Sequence, residues 1–150
     1  MADLVAVRLL VFRIGEVAVA ADVAAVREIL PAQPATRIPG AHAAVAGLIN
    51  VRGSLVTLVD GRRALGPAAG GGGDATRADG PVVLLDVGGK VVGFAVDDVL
   101  DLVGVRADEL APRDDLPGLD PRLVRAVGRR GQQSFVLLDL EALLGPILTS

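Results

Sequence analysis

The sequence contains no cysteine, no tryptophan, no tyrosine and a single histidine, His42. Without cysteine the chain has no disulfide framework, thiol nucleophile or thiolate metal site. A lone histidine lacks the partners that a metal site or a catalytic triad needs, so we interpret His42 as incidental. The sequence therefore predicts that the protein is not an enzyme and that it binds no metal or cofactor.

The charge and hydropathy patterns exclude two further classes of partner. The net charge is −3 and only three residues are aromatic, whereas nucleic acids are bound by basic faces and aromatic platforms. No apolar run reaches the roughly 20 residues of a membrane span, and the first four residues do not begin a signal peptide. We expect a cytoplasmic protein that binds no nucleic acid and does not insert into the membrane.

The chain is rich in aliphatic residues. Hydrophobic residues make up 51% of 150 residues, enough for one domain or for two small lobes that share a core. Large rings are scarce, so valine, leucine, isoleucine and alanine must fill that core. Abundant valine favours strands, because β-branched side chains suit a pleated surface. The composition predicts an all-β protein.

In the first half of the chain, apolar residues 4–14 and 17–21 predict a hairpin around a glycine turn. Asp22 is placed to cap a short helix over residues 23–29. A second helical stretch is predicted from Gly40 to about Ala46, ending at Gly47.

In the second half, residues 82–96 and 122–138 each predict a hairpin, the first around Gly88-Gly89. Residues 99–103 fit either a helix or a bent strand, and residues 139–144 fit a terminal helical turn. Between the halves, residues 67–80 include four consecutive glycines and lack the Gly-Lys-Ser/Thr of a phosphate loop. They predict a flexible surface loop.

The two halves resemble each other. Residues 56–66 match residues 135–145 when Asp60 is placed on Asp139, and a weaker match places Asp22 beside Asp97. Each aspartate is interpreted as a cap for the turn after a strand. The repeat predicts one domain over residues 1–150, with similar β lobes at about 1–66 and 81–150 joined by the loop 67–80. Closure of each lobe into an antiparallel barrel would remove exposed edges.

The stretch Asn50-Val51-Arg52-Gly53 interrupts two apolar strands with a charged turn that the C-terminal copy lacks. Two interpretations of Arg52 stay open: a solvated arginine in a hairpin loop, or a planar fork placed to pair with a carboxylate of a partner. Glu28 lies on the predicted helix near Val26, where it fits either a solvated face or an interface. Apolar strands beside charged turns are typical of a protein interface.

The sequence GLINVRGSLVTLVDGRRALG (residues 47–66) resembles the signature of the CheW family of bacterial chemotaxis adaptors. The resemblance extends to LVFRIG, VREIL, VGFAVDDVLDLV and VLLDLEALL, in order along nearly the whole chain. It implies two five-stranded SH3-like β-barrels packed over a shared hydrophobic core, with a few short helices. It also implies a non-catalytic adaptor that couples chemoreceptors to a CheA-type histidine kinase.

The same resemblance implies partners and residues. The expected partners are the cytoplasmic tip of methyl-accepting chemoreceptors and the regulatory domain of the kinase, so the protein would be recruited to receptor arrays at the inner membrane. By position, Arg52 corresponds to the arginine of the family motif implicated in receptor binding, and Val26 and Glu28 border the same area. Gly47 and Val99 fall where partner contacts or their supports are sensitive to change.

Two residues depart from the family pattern: Thr57 replaces the usual proline and Gly61 replaces the usual leucine. Thr57 restores a backbone donor to its strand, whereas Gly61 is expected to remove an apolar contact and to loosen the turn. These departures leave an alternative function, a diverged regulatory binding module of another two-component or chemosensory pathway.

Overall fold

The computed structural model describes residues 6–66, 80–112 and 119–149. The strands are β1 (Ala6–Ile14), β2 (Val17–Asp22), β3 (Val26–Leu30), β4 (Val45–Val51), β5 (Ser54–Asp60), β6 (Val82–Val87), β7 (Lys90–Ala95), β8 (Asp98–Arg106), β9 (Ala111–Pro112), β10 (Val124–Arg130) and β11 (Gln133–Leu138). The helices are α1 (Gly61–Leu65) and α2 (Leu140–Leu148), and short 3-10 turns span Val23–Ala25, Ala107–Glu109 and Pro121–Leu123.

The strands form two sheets. One has six strands in the order β8-β1-β2-β11-β10-β9, and the other has five in the order β3-β6-β7-β5-β4. Neighbouring strands are antiparallel except for short parallel contacts between β2 and β11 and between β5 and β7. The chain leaves the six-stranded sheet after β2 and returns to it after β7. Each sheet is therefore assembled from strands of both sequence halves.

Three apolar clusters explain the long aliphatic runs. One cluster lies within the six-stranded sheet and includes Leu9 and Val11, and a second lies within the five-stranded sheet and includes Val82 and Leu84. The third and largest lies between the sheets. Alternate residues of one strand thus enter two cores, and strands buried on both faces have continuous apolar sequences. The all-β class with a shared hydrophobic core is confirmed.

Three of the four aspartates of the repeat cap turns as predicted; Asp97 does not, because its side chain accepts from the Gly15 N–H and from Arg62, both distant in sequence. The Asp60 side chain accepts a hydrogen bond from the Arg62 backbone N–H at the start of α1, and Asp139 does the same for Ala142 in α2. Asp22 caps the first 3-10 turn. A side-chain oxygen at this position satisfies an N–H group that has no partner within the helix, so both repeat copies use the same local device.

Two of the predicted helices are wrong. Residues 23–25 form a single 3-10 turn, and residues 26–29 belong to β3, which pairs with β6. Residues 40–46 form turns followed by the start of β4. There the small Ala44 is buried in the shared core, and its carbonyl accepts from the Asp60 N–H at 2.8 Å. Tertiary pairing overrides local propensity in both segments.

The other predicted elements have mixed outcomes. Of the two alternatives for residues 99–103, the bent strand is correct: these residues belong to β8, and the register between β8 and β1 shifts at Val11 and Phe12. The glycine-turn hairpins are confirmed. The predicted flexible loop, apart from Gly80, lies outside the described residues.

The expected effect of Gly61 is also wrong. Gly61 is buried at the start of α1, and a Cβ there would lie 2.5 Å from the Ala95 carbonyl oxygen and 3.0 Å from Ile14 Cδ1. The glycine therefore does not loosen the turn. Its missing side chain lets the α1 backbone approach strands of both sheets closely.

We predict that Gly61→Leu, which installs the usual family residue, destabilises the protein by about 2 kcal/mol or more, because the contact is with backbone that cannot yield. Gly104→Leu is the matched control, since nothing lies within 4 Å of a Cβ at that position. Chemical denaturation of both variants measures the difference. Equal stability of the two variants would contradict the close approach at Gly61.

Candidate partner-binding site

The turn between β4 and β5 has two residues, Arg52 and Gly53, between the paired residues Val51 and Ser54. Both have positive φ, 49° and 88°, as a type I′ hairpin turn requires. The Asn50 side chain accepts from the Gly53 N–H at 2.8 Å. Within the described ranges, Arg52 is the one residue other than glycine with positive φ. Such backbone strain is concentrated at functional sites.

Arg52 forms a two-pronged ion pair with Glu28 of β3. Its Nη1 donates to Glu28 Oε2 at 3.1 Å, and its Nη2 donates to Oε1. The Arg52 side chain is 70% exposed and that of Glu28 is 34% exposed. Both interpretations of Arg52 from the sequence therefore need revision. Its guanidinium group is exposed, but it already pairs with a carboxylate of the same chain.

The pair joins the two edges of one sheet. In the five-stranded order, β3 and β4 are the opposite edge strands, and yet the tip of the β4–β5 hairpin contacts β3. The sheet must therefore curl until its edges approach each other. Backbone hydrogen bonds of 2.8 Å between Thr36, in the segment that follows β3, and Leu48 of β4 hold that segment against the other edge of the sheet. The charged groups thus lie where the two edges of the curled sheet approach each other.

The pairing favours the charged form of both side chains. The hydrogen bond and the charge of Arg52 hold the pKa of Glu28 below its ordinary value, against a smaller opposing effect of burial. The carboxylate likewise raises the pKa of Arg52. Because each group favours the charged form of the other, both groups are charged at neutral pH.

Gly47 supports this sheet from within. It lies in β4, not at a helix end as predicted, and a Cβ there would be 2.3 Å from the Thr36 carbonyl oxygen. Its φ of +150° is also unfavourable for other residues. Any side chain would push the segment after β3 away from β4, so Gly47 fits the role of a support rather than a contact.

Val26 and Val99 occupy different sheets. Val26 begins β3, two residues before Glu28, and Val99 lies near the start of β8 opposite Phe12. Both are partly buried and pack against the shared core. The structure therefore brings Arg52 and Glu28 into contact, places Val26 and Gly47 in the same sheet, and leaves Val99 on the other sheet.

Two exposed apolar side chains close to the pair in sequence were missed. Ile29 follows Glu28 and is 43% exposed, and Leu55 lies two residues after Gly53 and is 70% exposed. Strand alternation gives the signal that could have found Leu55, because Val56 and Leu58 enter the core and Leu55 has the opposite parity. Exposed apolar side chains are typical of a protein interface.

No competing chemical site stands out. In residues 6–66, 80–112 and 119–149, no three His, Asp or Glu side chains are grouped to hold a metal ion. Over the same ranges, no helix has the length and apolar character to cross a membrane.

Residues 8–147 match the CheW-like domain family. This protein belongs to that family. It is 33% identical to the probable chemotaxis protein CheW of Rhizobium etli over 138 residues, which cover 90% of this chain and 85% of the relative. It is 34% identical to the chemotaxis protein CheW of Rhizobium meliloti over 108 residues, which cover 72% of this chain and 67% of that protein.

A solved structure has the same fold. The scaffolding protein TtCheW of Thermoanaerobacter tengcongensis matches with a TM-score of 0.78 and 20% identity, over 91% of this chain and 90% of that protein. The likeness confirms the fold of two SH3-like barrels that the CheW resemblance implies. The described sheets follow that plan, and the two-residue β9 adds a sixth strand to one of them.

We predict that the Glu28 carboxyl titrates below its ordinary range, and that Arg52→Gln returns its pKa toward the ordinary value of about 4.3. A lowered pKa adds stability that is present above the unfolded-state value and is lost as pH falls through the folded-state value. Carbon-detected NMR of the glutamate side chains from pH 2 to pH 7 measures the shift, with the other carboxyl groups as internal controls. An unchanged Glu28 pKa in the variant would show that the pair does not persist in solution.

Proposed function

We propose that the protein is a non-catalytic adaptor that couples chemoreceptors to a CheA-type histidine kinase in bacterial chemotaxis-like signalling. The observation that carries the proposal is the CheW-like family match over residues 8–147. Relatives that carry the name chemotaxis protein CheW support it. The exposed ion pair and the exposed side chains of Ile29 and Leu55 give the physical means for protein contact.

The proposed partners are the cytoplasmic tip of a methyl-accepting chemoreceptor and the regulatory domain of the kinase. The protein acts in the cytoplasm, recruited to receptor arrays at the inner membrane, as one CheW-like domain over residues 1–150. We assign Arg52 and Glu28 to direct contact with a partner. Val26 and Val99 border the contact area, and Gly47 keeps it in shape.

The alternative of a diverged regulatory module was prompted by two departures from the family pattern, Thr57 and Gly61. Gly61 fits a space that a Cβ would overfill. Thr57, the other departure, lies in an uninterrupted β5 and pairs with Leu48. Neither residue lies in the Arg52–Gly53 turn or in β3, so neither departure favours the diverged module over the adaptor.

Binding to the regulatory domain of the cognate kinase tests the adaptor function directly. Isothermal titration calorimetry with the full-length protein is expected to give a Kd in roughly the micromolar range. Absence of binding up to roughly 100 µM would contradict the kinase half of the proposal and would favour the diverged module.

We predict that Arg52→Glu reduces affinity for a receptor-tip fragment by on the order of tenfold or more, since it reverses a charge at the contact. The melting temperature should change by no more than about 3 °C, because the side chain is largely exposed. Arg129→Glu applies the same charge reversal to an exposed arginine of β10 and should leave receptor affinity unchanged. A large drop in melting temperature would instead make Arg52 a structural residue.

A further inference from the structure

The chain crosses from one sheet to the other twice, and an aspartate lies at each crossing. Asp22 ends β2 before the chain enters the five-stranded sheet, and Asp97 lies between β7 and β8, where the chain returns. These are the two residues that the weaker sequence repeat aligns. Asp22 caps locally, accepting from the Ala24 N–H at 2.9 Å. Asp97 instead binds groups that are distant in sequence.

The Asp97 carboxylate joins elements of both sheets. Its Oδ1 accepts from Arg62 Nη2 at 2.6 Å, and its Oδ2 accepts from Arg62 Nε at 3.1 Å and from the Gly15 N–H. Arg62 belongs to α1, which follows β5 of the five-stranded sheet. Gly15 forms the β1–β2 turn of the six-stranded sheet. The Asp97 backbone N–H also donates to the Arg13 carbonyl at 2.9 Å.

The geometry of this contact is directional. The Asp97 side chain is 21% exposed and that of Arg62 is 42% exposed, so part of the pair is shielded from water. Burial by itself would raise the pKa of Asp97, but the hydrogen bonds of Arg62 and Gly15 and the arginine charges hold it below its ordinary value. A guanidinium fork on a carboxylate fixes distance and angle together.

The contact lies close in sequence to one residue of the proposed partner surface. Val99 follows Asp97 by two residues and is carried by the six-stranded sheet, whereas Val26 and Arg52 are carried by the five-stranded sheet. Any rotation of one sheet against the other would change the spacing of these residues. The close approach of Gly61 to Ala95 and Ile14 places Arg62 where it can oppose that rotation.

We infer that Arg62 and Asp97 are positioning residues for partner binding: their ion pair fixes the two sheets at one angle and thereby sets the distance of Val99 from Val26 and Arg52. The effect on partner binding rests on the proposed adaptor function, whereas the fixed angle between the sheets rests on the contacts of Asp97 and Arg62. Neither side chain needs to touch the partner.

The absence of cysteine permits a direct test of the angle. The exposed residues Ser54 of β5 and Ser134 of β11 lie in different sheets. A double variant that combines Ser54→Cys with Ser134→Cys carries one spin label on each sheet. Pulsed dipolar spectroscopy should give one narrow distance distribution. In this background Asp97→Asn and Arg62→Gln should each broaden it, and Arg62→Lys, which keeps the charge but loses the fork, should broaden it less.

Arg122→Gln is the matched control, because it removes an Arg–Asp fork on Asp120 that stays within one 3-10 turn. Its distribution should equal that of the parent protein. A distribution in Asp97→Asn that is as narrow as in the parent, with the same mean, would overturn the inference.

Partner affinity supplies the second readout. In variants that remain folded, Asp97→Asn and Arg62→Gln should each weaken binding to the kinase regulatory domain or the receptor-tip fragment by about fivefold or more, and the double variant by no more than either alone. Broadened distances with unchanged affinities would overturn the positioning role. If the parent protein binds neither partner, the proposed function fails, and the distance measurement still decides whether the ion pair fixes the angle.

Discussion

The burial of central strands on both faces is the constraint on which the rest of this structure depends. Odd and even residues of β1 and β6 enter different cores, so each strand contributes to its own barrel and to the shared interior. Phe12 and Phe94 meet edge to face across that interior, with ring centroids 6.1 Å apart. The two sheets cannot separate without exposing this core, which makes them one cooperative unit.

Ion pairs act where backbone pairing between strands ends. Two Arg–carboxylate forks occupy such positions: Arg52–Glu28, which joins the two edges of one sheet, and Arg62–Asp97, at the crossing between sheets. Exposed pairs of this kind contribute little to the free energy of unfolding. They fix the relative position of the two joined elements, because a guanidinium fork holds a carboxylate at a defined distance and angle. Stability and geometry thus come from different parts of the molecule.

Much of the fold could be predicted because its signals are local. Glycine turns marked the hairpins, and the Asp60 and Asp139 caps followed from their positions after strands. The failures share one cause. Residues 23–29 and 40–46 have helical spacing or small side chains, but the first must pair with β6 and the second must place Ala44 against the core. Gly61 was misinterpreted for the same reason, since only its neighbours show that no Cβ fits.

The sequence by itself determined the class and the two-fold repeat and singled out Arg52 as a candidate, because composition, period and a charged glycine turn are properties of the chain. Only the tertiary structure decided what Arg52 touches. Glu28 is 24 residues away in sequence and lies on the opposite edge strand, so their contact depends on how the sheet curls. Likewise, Asp97 acquires Arg62 and Gly15 only because the chain crosses between sheets at that point. Long-range pairing has no local signature, and packing alone supplies it.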